Sequence, residues 1–69
     1  MTLETLRRMT AEWDALSTEW PTLSAAERSA IRARYAATVS DEQSTRADIS
    51  TARFILGAID LYEGEGRNG

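Results

Sequence analysis

The sequence predicts an all-α fold, a three-helix bundle with helices at about 2–19, 25–39 and 41–63. Apolar residues recur at alternating spacings of three and four, which is the period of one helix face. Two Ser-x-x-Glu/Gln capping boxes mark internal helix starts. The sequence also predicts one domain over residues 1–63 and a flexible tail at 64–69. Oligomerisation is one expected way to complete a bundle this small.

The first helix is predicted from an apolar seam with Thr2 as its N-cap. Pro21 disfavours helical backbone at the preceding residue, so the helix is expected to end near Trp20. Large side chains repeat along this seam at spacings of three and four: Leu6, Met9, Trp13, Leu16, Trp20 and Leu23. Two to three heptads are too few for a free coiled coil, which favours packing inside a short bundle.

The second helix is predicted to begin after Ser24, whose side chain forms a capping box with Glu27. Its apolar stripe is thin and consists of Ile31, Tyr35 and Val39 among alanines. Alanine favours helix but buries little area, so this helix is expected to depend on what it packs against.

The third helix is expected to start at Asp41, with Ser40 as its cap, and to stop before Gly64. It has two apolar stripes, whereas a surface helix of a small monomer normally needs one. The stripe expected to face the core holds Ile49, Ala52, Ile55, Leu56, Ile59 and Tyr62. The second stripe holds Ala47, Phe54, Ala58 and Leu61.

The second stripe predicts a binding surface formed by Phe54, Ala58 and Leu61. It would contact another copy of the chain or a larger protein. The alternative is internal: the first helix covers Phe54 and Leu61 while the second helix covers the core stripe. The apolar-poor second helix buries too little surface for that arrangement, which favours an external partner.

Three further residues are candidate contacts for a partner. Trp20 stands at a helix end, where it is either a core residue or an interface anchor. Arg28 and Arg32 are like charges one turn apart, and this mildly destabilising pair predicts an acidic partner. The alternative for both arginines is pairing with acidic residues of the first helix, namely Glu12, Asp14 and Glu19.

The composition argues against catalysis and against metal or cofactor binding. The chain has no cysteine and no histidine, and its eight basic residues are all arginine. The commonest general base, the thiol nucleophile and the usual zinc ligands are therefore missing. Asp60 and Glu63 form a possible carboxylate pair, but arginine cannot serve as a base beside them. We therefore expect no enzyme activity, no metal site and no cofactor.

The charge and hydropathy narrow the class of partner. The net charge of −3 is unlike the basic stripe of a nucleic-acid-binding protein. The longest apolar run is too short to span a bilayer, and the first residues do not resemble a signal peptide. We therefore expect a cytoplasmic protein that binds protein, with neither nucleic acid nor membrane as its partner.

Two functions fit this description. The first is a small adaptor or assembly protein that self-associates or docks on a larger protein through its third helix. The second is an acidic inhibitor that blocks a basic or nucleic-acid-handling enzyme, with Glu12, Asp14 and Glu19 as its acidic patch. Salt should weaken the second kind of binding far more than the first.

Overall fold

A computed structural model describes the backbone of residues 2–68 and the side chains of residues 2–64. It has three α-helices: α1 at Leu3–Glu19, α2 at Ala25–Ser40 and α3 at Arg46–Asn68. A short 3-10 turn, Trp20–Thr22, follows α1. The described part of the chain contains no strand, and the predicted three-helix bundle is confirmed.

The starts of α1 and α2 follow the predicted capping chemistry. The Thr2 hydroxyl accepts a hydrogen bond from the Thr5 backbone N–H at 3.2 Å. At α2, the Ser24 hydroxyl accepts from the Glu27 N–H, and the Glu27 carboxylate accepts from the Ser24 N–H, both at 3.1 Å. Each cap satisfies backbone donors that a helix leaves unpaired in its first turn.

The predicted start of the third helix is wrong by five residues, because Ser40 ends α2 instead of capping α3. The Asp41 side chain accepts from the Gln43 N–H at 2.9 Å, and its carbonyl accepts from the Ser44 N–H. This local turn competes with helix for the same backbone donors. The helix begins one turn later, where the Thr45 hydroxyl accepts from the Asp48 N–H at 3.1 Å.

The predicted end of the third helix is also wrong. The backbone stays helical through Gly64 and on to Asn68. No glycine in the described part of the chain has the positive φ of a left-handed helix stop. Of the tail predicted at 64–69, the side chains of residues 65–68 and all of Gly69 lie outside the described residues.

The helices run up, down and up. Arg28 contacts the carbonyl of Trp20, and the Tyr35 hydroxyl lies 3.4 Å from Glu12, so α1 and α2 are antiparallel. Arg28 lies near Glu63 and Arg32 pairs with the earlier Asp60, so α2 and α3 are antiparallel as well. The first and third helices are therefore parallel, with α3 packed against both of the others.

The core gathers around Trp20, which has no exposed surface and packs with Ile55 and Ile59 of α3. Side chains from every other element surround this cluster: Trp13, Leu16, Leu23, Ile31 and Tyr35. Met9, Thr51 and Ala52 are also buried. The Thr51 hydroxyl donates to the Ala47 carbonyl at 2.8 Å, so this buried hydroxyl is satisfied.

The core stripe predicted for α3 is partly correct. Ala52, Ile55 and Ile59 are buried as expected, but Ile49 and Leu56 are only half-buried. Tyr62, at the edge of the predicted stripe, is exposed. The buried face of α3 is therefore narrower than the predicted stripe and centres on Ala52, Ile55 and Ile59.

Replacing Trp20 tests how far the fold depends on this core. Trp20→Ala is expected to lower the free energy of unfolding by about 3–5 kcal/mol, which approaches the whole stability of a domain this small. Trp20→Phe should cost much less, since it keeps an aromatic ring and removes an indole N–H that finds no acceptor among the described residues. Urea unfolding followed by circular dichroism measures both. Equal losses would contradict the prediction, because they would show that the aromatic ring retained by Trp20→Phe contributes nothing to stability.

Acid is expected to loosen the contact between α1 and α3 through Asp48. Its carboxylate accepts from Arg8 at 2.8 Å, and this bond, with those from Thr45, holds the pKa of Asp48 below its ordinary value. The unfolded chain therefore takes up the proton first. The stabilisation is complete above about pH 5 and is lost as the pH falls through the lowered pKa of the folded state.

Asp48→Asn should therefore flatten the dependence of stability on pH below about pH 5, measured by urea unfolding at each pH. Glu42→Gln is the matched control, because Glu42 is exposed in the preceding turn and makes no hydrogen bond within the described residues. Parallel profiles for the wild type and Asp48→Asn would contradict the prediction.

Candidate functional site

The outer face of α3 exposes the predicted binding stripe. Phe54 is 41% exposed and Leu61 is 70% exposed, while Ala58 between them is half-buried. Positions four and three residues apart share one face of a helix, so the three side chains form one continuous stripe. Packing of α3 in the bundle thus leaves its two largest outward apolar side chains in contact with solvent.

The surface beside this stripe is open. A Cβ atom placed on Gly57 would meet nothing within 4 Å, so no part of the described chain approaches that glycine. A glycine inside a helix often allows another backbone to approach closely, but none does so at Gly57 within the described chain. The space next to Phe54 and Leu61 is therefore available to a second molecule.

Two exposed leucines on α1 extend the apolar surface of the molecule. Leu3 is 62% exposed, and Leu6, which the sequence placed in the core seam, is also exposed. Leu6 stands at the start of the bundle, where α2 has already passed into its turn and α3 is only beginning. A heptad pattern identifies the inward face of α1 but not where its neighbours end.

Trp20 belongs to the core and not to a partner surface, because its side chain has no exposed area. The polypeptide turns at Trp20–Thr22 and folds the ring inward. Pro21 sets the position of this turn, and the 3-10 geometry directs the ring toward α3. Its burial removes it from the set of residues that could touch a partner in this conformation.

Arg28 stabilises the turn that contains Trp20. Its Nε and Nη2 atoms donate to the Trp20 carbonyl oxygen at 3.2 and 2.9 Å. Its guanidinium also lies over the Trp20 ring, 5.5 Å from the centroid. The same side chain therefore satisfies a helix-terminal carbonyl and covers the aromatic face, a combination that requires the planar fork of arginine.

Arg32 joins α2 to α3. Its Nη1 donates to Asp60 at 2.9 Å, and its Nη2 donates to Glu63. These two bonds raise the pKa of Arg32, the one to Glu63 more than the one to Asp60. Arg28 lies 4.0 Å from Glu63 and extends the cluster. The four side chains line an open cleft of about 660 Å³ between the two helices.

The alternative expected for Arg28 and Arg32, pairing with acidic residues of α1, is wrong, and their contact with a partner stays a prediction. Both arginines have acceptors inside the chain, and those acceptors lie on α3 and in the turn, not on the acidic face of α1. The sequence contained the signal in the spacing of Asp60 and Glu63, which share one face of α3. Only the antiparallel packing of α2 on α3 shows that this face meets the arginines.

Glu12 is also engaged within the chain. Its carboxylate accepts from Arg8 Nε at 3.1 Å, and it lies within reach of the Tyr35 hydroxyl. Burial raises the pKa of Tyr35, so this hydroxyl stays protonated and able to donate. Of the predicted acidic patch, Asp14 and Glu19 remain exposed on α1.

Other kinds of site find little support in the described part of the molecule. No cluster of acidic residues in residues 2–64 has the arrangement needed to hold a metal ion. No helix among the described residues is both long and apolar enough to cross a bilayer. No protein-family model, curated protein sequence or solved structure matches the chain. The stripe on α3 is the candidate site on the strength of the exposed Phe54 and Leu61 side chains.

The internal role of Arg32 can be tested by removing its charge. Arg32→Gln should lower the free energy of unfolding by about 1 kcal/mol, since partly exposed ion pairs contribute little individually. Arg7→Gln is the matched control, because Arg7 is exposed on α1 and forms no ion pair within the described residues. Thermal and urea unfolding measure both. A wild-type stability for Arg32→Gln would show that the cluster does not hold α2 to α3.

Proposed function

We propose that this chain is a non-catalytic protein-interaction module, a small adaptor or assembly protein that binds through the outer stripe of α3. The stripe comprises Phe54, Ala58 and Leu61, and its partner is a second copy of the chain or a larger protein. The observation that carries the proposal is the exposure of Leu61 and Phe54 on the same helix face. The cytoplasmic location expected from the sequence stays a prediction.

The energetics support binding by this surface. Covering an exposed leucine or phenylalanine contributes about 1.5–3 kcal/mol, so two such residues on one face supply a useful part of a binding energy. A helix face with apolar residues at i, i+4 and i+7 suits helix-to-helix or helix-in-groove contact. The helix beneath is held by the Trp20 cluster, so little backbone order is lost on binding.

The inhibitor hypothesis has weaker support. It relies on an acidic patch on α1, and Glu12 in that patch already accepts from Arg8. Asp14 and Glu19 alone offer two charges separated by more than one helical turn. The apolar stripe, by contrast, has no intramolecular ion pair or hydrogen bond to give up when a partner arrives.

Two leucine substitutions test the proposal. Leu61→Asp is expected to abolish or weaken association by at least about tenfold, because it places a charge in an apolar contact. Since Leu61 is largely exposed, the fold should change by no more than about 0.5 kcal/mol. Light scattering across a concentration series measures self-association, and affinity capture from native extract measures binding to other proteins.

Leu3→Asp is the matched control, because Leu3 is similarly exposed but lies on α1 away from the stripe. It should leave both measurements unchanged. Folded Leu61→Asp and Phe54→Asp variants that retain the mass and the captured proteins of the wild type would contradict the proposed function.

A further inference from the structure

The exposed face of α3 has a heptad pattern in which large and small residues alternate. Residues at spacings of three and four run along this side of α3, exposed in the middle (Phe54, Gly57, Leu61) and half-buried toward the ends (Ala47, Ser50, Gly64). If Phe54 and Leu61 are placed at heptad position a, then Ser50, Gly57 and Gly64 fall at position d. Each large a residue therefore has a small d residue one turn away on either side.

This alternation distinguishes between two ways of pairing α3 with a copy of itself. In a parallel pair, a meets a and d meets d, so Phe54 would meet Phe54 and Gly57 would meet Gly57. Such layers alternate between overpacked and empty. In an antiparallel pair, a meets d, so Phe54 and Leu61 each meet a small residue of the other copy and the volumes match in those layers.

Charge selects one register among the antiparallel pairings. With Phe54 opposite Gly57 of the other copy and Leu61 opposite Ser50, residues Arg53 and Asp60 face each other across the seam twice, once in each direction. Sliding the pair by one heptad places Asp60 against Asp60 or Arg53 against Arg53. Only the first register makes both flanking contacts attractive and also overlaps the helices from Ala47 to Gly64, about 27 Å.

The structure leaves both charges accessible for this contact. Arg53 is exposed and forms no ion pair within the described part of the chain. The side chain of Asp60 is 71% exposed, although its Oδ1 accepts from Arg32. The face between them is open at Gly57, where an added Cβ atom would meet nothing within 4 Å.

We propose that the partner of the α3 stripe is a second copy of this chain, bound antiparallel across a two-fold axis near the middle of α3. This inference rests on the proposed function and names its partner. The Phe54 ring of each copy packs on Gly57 of the other copy. At the edge of the interface, Arg53 of each copy pairs with Asp60 of the other. A helix face of this length covers less than the roughly 800 Å² per partner of a standard interface, so the dimer dissociates on dilution.

A charge exchange between two variants tests the antiparallel register. Arg53→Asp alone opposes two carboxylates across the seam, and Asp60→Arg alone opposes two arginines, so each should dimerise about tenfold more weakly than the wild type. Mixed in equal amounts, the two variants should recover a heterodimer, because every flanking contact is again between opposite charges. Sedimentation equilibrium on the full chain, with one variant fluorescently labelled, measures all three.

Two further variants separate loss of the dimer from loss of the fold. Gly57→Leu adds a side chain into space that is open within the chain, so the monomer stays folded while the space for Phe54 of the other copy is filled and the dimer is lost. Arg34→Asp carries the same charge change as Arg53→Asp on the exposed face of α2 and should dimerise like the wild type. Circular dichroism confirms the fold of each variant.

A wild-type chain that remains monomeric at every concentration would overturn the dimer. The antiparallel register would be overturned if Arg53→Asp and Gly57→Leu left the dimer affinity unchanged. It would also be overturned if the mixed Arg53→Asp and Asp60→Arg variants formed no heterodimer. Neither result contradicts the proposed function if Leu61→Asp still abolishes binding to another protein. The proposed function would be contradicted only if the folded Leu61→Asp variant bound every partner that the wild type binds.

Discussion

The burial of Trp20 is the constraint on which the rest of this structure depends. Its ring packs against Ile55 and Ile59, while its own backbone forms the turn that reverses the chain from α1 to α2. Arg28 donates to that turn and covers the ring. Since a chain without cysteine has no disulfide to supplement its core, this one residue connects all three helices.

The third helix serves two surfaces at once. Its inward face supplies most of the buried residues, and its outward face carries Phe54 and Leu61. The second helix has no fully buried residue, so α2 is held to α3 through Arg32 and its two carboxylates as well as through partly buried apolar contacts. Ion pairs therefore supplement the thin apolar contact between α2 and α3, while the large apolar side chains on the outward face of α3 stay exposed to solvent.

This division has a consequence for function. A surface that binds protein works best when binding does not compete with folding, and the stripe shares no side chain with the Trp20 cluster. Ligand binding to the folded state also adds stability by mass action, which matters most in a domain of this size. A self-complementary seam would therefore couple assembly to folding: the same event that forms the interface would stabilise the bundle.

The sequence by itself determined the helical class, the first two helices and their caps, because those depend on local hydrogen bonds and on the 3.6-residue period. It also identified the outward stripe of α3. Tertiary structure alone decided the rest. Asp41 competes for backbone donors and delays α3, Trp20 turns inward, and Arg28 and Arg32 find acceptors made available by antiparallel packing. The pattern along one helix specifies its apolar face. Which faces of the three helices contact one another depends on how the helices cross, and the packing of the whole chain sets that crossing.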